Sequence, residues 1–169
     1  MSVDVIKRLV LFVILCLLQV LVLNHFHLFG VATPLLYVYF VVTFRRNYPK
    51  WAMLLWSFAL GLLIDTFSNT PGLVTSSLTL LAFVQPFLLE LFVPHDAAED
   101  MECSLKSLGN LRYFWLAGIM TLLYCIVFFS LETFGFFDFL HWLLCVFCSF
   151  VLTLLLVFIL EEFRFSQKI

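Results

Sequence analysis

All nine lysines and arginines of this chain fall in alternate gaps between long apolar runs. Lys7 and Arg8 precede the first run, and Arg45, Arg46 and Lys50 lie between the second and third. Lys106 and Arg112 lie between the fourth and fifth, and Arg164 and Lys168 follow the sixth. A helix of about 20 apolar residues crosses a hydrocarbon core of ~30 Å. The pattern therefore predicts six spans, at about 9–28, 34–48, 51–67, 71–93, 113–131 and 139–160. An even count puts both termini on one side, and the positive-inside rule makes that side cytoplasmic. Removing any one span would scatter the cations over both faces.

Composition agrees. The chain is 64% hydrophobic and only 12% charged, against about 45–50% and about 25% in a soluble domain. So much apolar surface cannot be hidden in one small core, and the solvent it implies is lipid. A net charge of −2 without any basic run argues against nucleic acid as a partner. The expected fold class is an all-α, polytopic membrane helical bundle forming a single integral-membrane domain over 1–169. Lys7-Arg8 before an apolar run has the look of a signal peptide, but no small-residue cleavage site follows. The expectation is a retained first span.

Local signals set the boundaries. Span two opens on Thr33-Pro34, an N-cap followed by proline at the first helical position. From Pro34 to Tyr48 is 15 residues, or ~22 Å of helix. That is short for a crossing, so either the break before it lies below the surface, shielded by protein, or the bilayer thins there. A tight turn, Arg45 to Trp51, leads into span three. Pro86 predicts a kink in span four, with Gln85 beside it.

Asp65 is the charge deepest in an apolar run, within Gly61–Leu73, read GLLIDTFSNTPGL. It lies ~21 Å along its helix from Trp51, about two thirds of the way out. Ser57, Gly61 and Asp65 recur every four residues and share one face, and small residues there let another helix approach closely. Three readings remain open. Asp65 binds a partner helix or orders the turn Ser68–Gly72, which includes Pro71; it caps that turn through local backbone N–H groups; or it lines an ion or proton path.

Between spans four and five, Asp96 with Glu99 resembles a capping box, and Met101, Leu105 and Leu108 recur at helical spacing before Gly109. This predicts a cytoplasmic amphipathic helix at about 97–108. With the Arg45, Arg46 and Lys50 turn, its Met101, Leu105 and Leu108 form the expected cytoplasmic interaction surface. Four of the five cysteines lie inside spans and read as small apolar residues. Stripes at spacings of four (His141, Cys145, Ser149 and Thr153 in span six) are expected to face neighbouring helices. No phosphate loop, nucleophile elbow or zinc helix is present in the sequence. The expectation is no enzyme, no cofactor and no metal.

With these features in place, the chain resembles the MreD family of bacterial rod-shape-determining integral membrane proteins. The carriers are the Lys/Arg-flanked first span, Thr33-Pro34-Leu35-Leu36, the Arg45–Trp51 turn, and Gly61-Leu62-Leu63-Ile64-Asp65 followed by Pro71-Gly72-Leu73. The resemblance implies a non-enzymatic scaffold of the cell-elongation machinery in the bacterial inner membrane. Its implied partners are a bitopic MreC-like protein, an MreB-like filament, and a RodA-type polymerase with its transpeptidase. Ser57, Gly61, Asp65, Pro71 and Gly72 would then set the packing that a partner span recognises. The rival expectation is a substrate-binding membrane component of a small-molecule importer. Such a site needs polar side chains converging near the midplane, and the sequence offers few besides Gln19, Gln85, Asp65 and some hydroxyls.

Overall fold

The computed structural model describes residues 2–21, 34–93, 108–133 and 139–166. Among them every regular element is a helix: α1 (Ser2–Leu21), α2 (Val38–Val42), α3 (Lys50–Ser68), α4 (Leu73–Phe92), α5 (Asn110–Glu132) and α6 (Phe139–Ser166). Four of them, α3 to α6, are long and apolar enough to cross a membrane. The chain is a membrane protein by that measure. The described part of α1 carries Asp4, Lys7 and Arg8 in its first half, which sets it apart from those four.

The four long helices present large apolar side chains outward. Leu55, Phe83, Leu91 and Phe147 are each more than half exposed, as side chains against lipid should be. Helices α3 and α4 form a tight hairpin, α4 packs on α5, and α5 on α6. Helix α4 continues through Pro86. The predicted amphipathic helix at about 97–108 falls outside the described residues, Met101 and Leu105 included; Leu108 is buried.

The largest departure from the sequence reading is at 34–48. A span was expected there; the structure has helix only over Val38–Val42. Every residue from Pro34 to Phe44 is buried, most with under 4% exposure. A lipid-facing helix shows alternating exposure, so this stretch is enclosed by protein instead. Phe12 and Phe44 close edge-on around Phe40. Tyr37 meets Tyr124 of α5 ring to ring, with their hydroxyls 2.8 Å apart.

One end of the bundle can be followed through contacts. Near the start of α1, Arg8 stacks on the rings of Phe44 and Tyr48, at 4.1 and 4.2 Å. Lys50, the first residue of α3, lies 5.5 Å from the Phe87 ring near the end of α4. Tyr113 and Phe114 at the start of α5 meet Phe158 late in α6. The described cations Lys7, Arg8, Arg45, Arg46, Lys50 and Arg112 therefore gather at the same end.

Candidate functional site

Two polar constructions lie inside this apolar body. The first is the α3–α4 turn. Helix α3 ends at Ser68, and Asn69 takes the left-handed conformation (φ 56°), donating its N–H to the Asp65 carbonyl. Thr70 N–H reaches the same carbonyl at 3.2 Å. Gly72 is also left-handed (φ 83°), which glycine allows at no steric cost, and α4 begins at the next residue.

The Asp65 carboxylate then caps α4 from the preceding helix. Its Oδ1 accepts from Val74 N–H at 2.9 Å and from the Thr70 hydroxyl at 3.0 Å. Its Oδ2 accepts from Thr75 N–H at 2.9 Å and from the Thr75 hydroxyl at 2.6 Å. The first N–H groups of any helix lack partners within it and are costly to leave bare in hydrocarbon. A negative charge also complements the positive end of the α4 dipole. Asp65 thus sits at the unfavourable pole of its own helix because it serves the favourable pole of the next.

Gly61 completes the unit. A Cβ built there would lie 2.6 Å from the Thr75 Cα, so only glycine lets the two backbones come this close. Ser57, Gly61 and Asp65 do share one buried face, while Pro71 and Gly72 stand exposed at the turn. The expectation that Asp65 contacts a partner helix is corrected on one point. A carboxylate has about four lone-pair positions, and four intrachain donors already fill them.

The second construction surrounds 34–44. Turn-type backbone bonds run through the middle of the segment, from Val38 N–H to the Leu35 carbonyl up to Phe44 N–H to the Val41 carbonyl, and side chains from three helices serve backbone groups at its two ends. Gln19 of α1 donates to the Pro34 carbonyl at 2.9 Å and accepts from Leu36 N–H at 3.2 Å. Thr153 of α6 accepts from Leu35 N–H at 3.2 Å. Gln85 of α4 donates to the Phe44 carbonyl at 3.4 Å, long for such a bond. Tyr39 donates its hydroxyl to Glu161 at 2.6 Å, and Glu161 is itself 2% exposed. Gln19 follows Arg8 by 11 residues of continuous helix, ~16 Å, about half of a ~30 Å core. The segment therefore passes from mid-depth to the basic end.

Glu161 escaped the sequence reading, which ended the sixth span at 160, one residue before it. A signal for it existed: Cys145, Ser149 and Thr153 are buried, and the same four-residue spacing runs on through Val157 to Glu161. His141, the first member of the expected stripe, is exposed, with its Nε2 3.6 Å from the Cys145 sulfur. Among the described residues no group of three or more His, Cys, Asp or Glu side chains is placed to hold a metal. Of the expected interaction surface, Arg45 and Arg46 are half-buried and Lys50 is exposed.

Comparison of the chain with protein-family models, with curated proteins and with solved structures gives no match.

Proposed function

We propose that this protein is a non-enzymatic membrane scaffold of the bacterial cell-elongation machinery, similar in role to the MreD family. The observation that carries the reading is the unity of the α3–α4 turn. Gly61, Asp65, Gly72 and Leu73, four of the residues in the two stretches on which the resemblance chiefly rests, work together. One permits close approach, one caps the next helix, one makes the turn, and the last starts α4. Such a hairpin is a rigid element on which a partner's span can pack. Its outward faces, rich in Leu and Phe, offer that span a surface without polar cost. The partners would be an MreC-like bitopic protein along the spans, and filament or synthase components at the cytoplasmic end, with the chain in the inner membrane.

The rival reading, a substrate-binding importer subunit, draws on the convergence of Gln19, Thr153, Gln85 and Glu161 inside the bundle. The hydrogen bonds of Gln19, Thr153 and Gln85 go to the backbone of 34–44, which favours a structural role for them. Depletion of the protein from its native cells, with pull-down from native membranes, separates the two. Loss of rod shape and recovery of an MreC-like protein are expected. Rods that persist, with a small molecule retained through purification, overturn the proposal.

A further inference from the structure

His141 and Cys145 form a donor pair that the scaffold reading leaves unused. The Nε2 of His141 lies 3.6 Å from the Cys145 sulfur. The two residues are four apart on α6, so a single helical turn places them on one face. No remote packing is needed to bring them together. A zinc ion holds thiolate sulfur at about 2.3 Å and imidazole nitrogen at about 2.0–2.1 Å, and tetrahedral angles then put these two donors about 3.5–3.6 Å apart. The observed spacing matches that bite. Without a metal the contact is a thiol–imidazole hydrogen bond, which keeps both donors at the ligating distance.

The position also suits a cation. The start of α5 meets late α6 at the basic end, so His141, near the start of α6, lies at the opposite end of the bundle. No lysine or arginine occurs from 113 to 163, and Glu132, the last residue of α5, lies exposed at the same end as His141. His141 is itself exposed, which opens the pair to an ion from outside, while Cys145 is buried one turn farther into the span. Among the described residues no third His, Cys, Asp or Glu joins the pair to hold a metal. Two tetrahedral positions are therefore left to water, and an ion so held exchanges more readily than one enclosed by four protein ligands.

We propose that His141 and Cys145 bind a borderline-soft divalent cation of the zinc class, exchangeably, at the end of the bundle away from the basic residues. Imidazole and thiolate favour such an ion over calcium or magnesium, which take oxygen donors. On binding, the thiol proton leaves to water, the sulfur and Nε2 lone pairs each make one bond to the ion, and nothing is oxidised or reduced. The site is independent of the scaffold reading.

The test uses the full chain, purified in mild detergent, stripped with a chelator and titrated with Cd(II), whose bond to thiolate absorbs in the near ultraviolet. Wild type and Cys148→Ser should both develop the band, and Cys145→Ser should not. His141→Gln should weaken cadmium binding by at least about tenfold, since losing even a group that only supports a metal ligand costs that much. No band in the wild type, or a band retained in Cys145→Ser, overturns the proposal. Unchanged affinity in His141→Gln also overturns it, because the band would then belong to a thiol without the imidazole. Should Cys148→Ser lose the band with its helical circular dichroism intact, a thiol pair is the ligand set and the proposal fails. His141 is exposed, so its glutamine variant tests the site even where a change at the buried Cys145 disturbs folding.

Discussion

The α3–α4 turn and the buried 34–44 segment meet the same physical demand in opposite ways. Each has backbone groups outside regular helix within an apolar body, where unsatisfied N–H and C=O groups are costly. At the turn, one carboxylate answers the demand, with every partner within ten residues of Asp65. Around 34–44 the answer is distributed: Gln19 is 17 residues from Leu36, Gln85 41 from Phe44, and Thr153 118 from Leu35. The turn can therefore form as soon as its own hairpin does. The segment is correctly placed only after α1, α4 and α6 have all assembled around it. One construction is local and concentrated, the other long-range and shared, and they should respond to mutation accordingly.

The largest effect is expected at Asp65. Asp65→Ala leaves the buried Val74 N–H and the half-buried Thr75 N–H without their acceptor and should cost about 3–5 kcal/mol, since each unsatisfied donor costs about 1–3 kcal/mol and the favourable contact with the α4 pole is lost as well. Unfolding in a graded denaturing detergent measures this. Asp65→Asn, which keeps one acceptor oxygen, should fall between alanine and wild type. A cost below about 1 kcal/mol for alanine, within the range of an ordinary hydrogen bond, would erase the contrast between a concentrated site and a distributed one. Gly61→Val comes next, at about 2–3 kcal/mol, because a branched side chain must force α3 from α4. Disulfide trapping of cysteine pairs across the hairpin would report that separation directly.

Around the buried segment, each change should be milder. Gln19→Leu removes two bonds and should cost about 1–2 kcal/mol, given that polar contacts inside membrane proteins average about 0.6 kcal/mol each. Combining it with Thr153→Val sharpens the comparison: the two hold adjacent residues, so their effects should be non-additive by at least about 0.5 kcal/mol. Strict additivity in that cycle would mean that the segment is not held as one unit. Smallest of all is Ser57→Ala. The Ser57 hydroxyl is fully buried with no hydrogen-bond partner among the described residues. Its removal should be neutral or slightly stabilising, within about 0.5 kcal/mol, because no bond is lost and a desolvated polar group is removed.

This last case shows how far a shared helix face carries. Ser57, Gly61 and Asp65 sit together as their spacing predicts, yet they are not equivalent. Gly61 matters for the atom it lacks, Asp65 for the bonds it makes, and Ser57 for little beyond its size. Spacing places residues on a face. Only the facing backbone distinguishes their roles, here Thr75 2.6 Å from where a Gly61 Cβ would stand.

The sequence by itself determined the membrane class, because the apolar surplus and the sequestered cations leave no other solvent. It also placed the α3–α4 hairpin, since capping, a left-handed glycine and a close-approach glycine are all encoded within fifteen residues. Even the reading of Asp65 as a cap was available, though its alternatives could not be closed without the donors in view. The tertiary structure alone decided that 34–44 is an enclosed passage with one short helix rather than a lipid-crossing helix. Hydropathy records how apolar a segment is and not what surrounds it, so a stretch buried in protein and one bathed in lipid read alike. What separates them is whether remote side chains supply the missing hydrogen bonds, and the positions of Gln19, Thr153 and Gln85 around this segment exist only once the helices have packed.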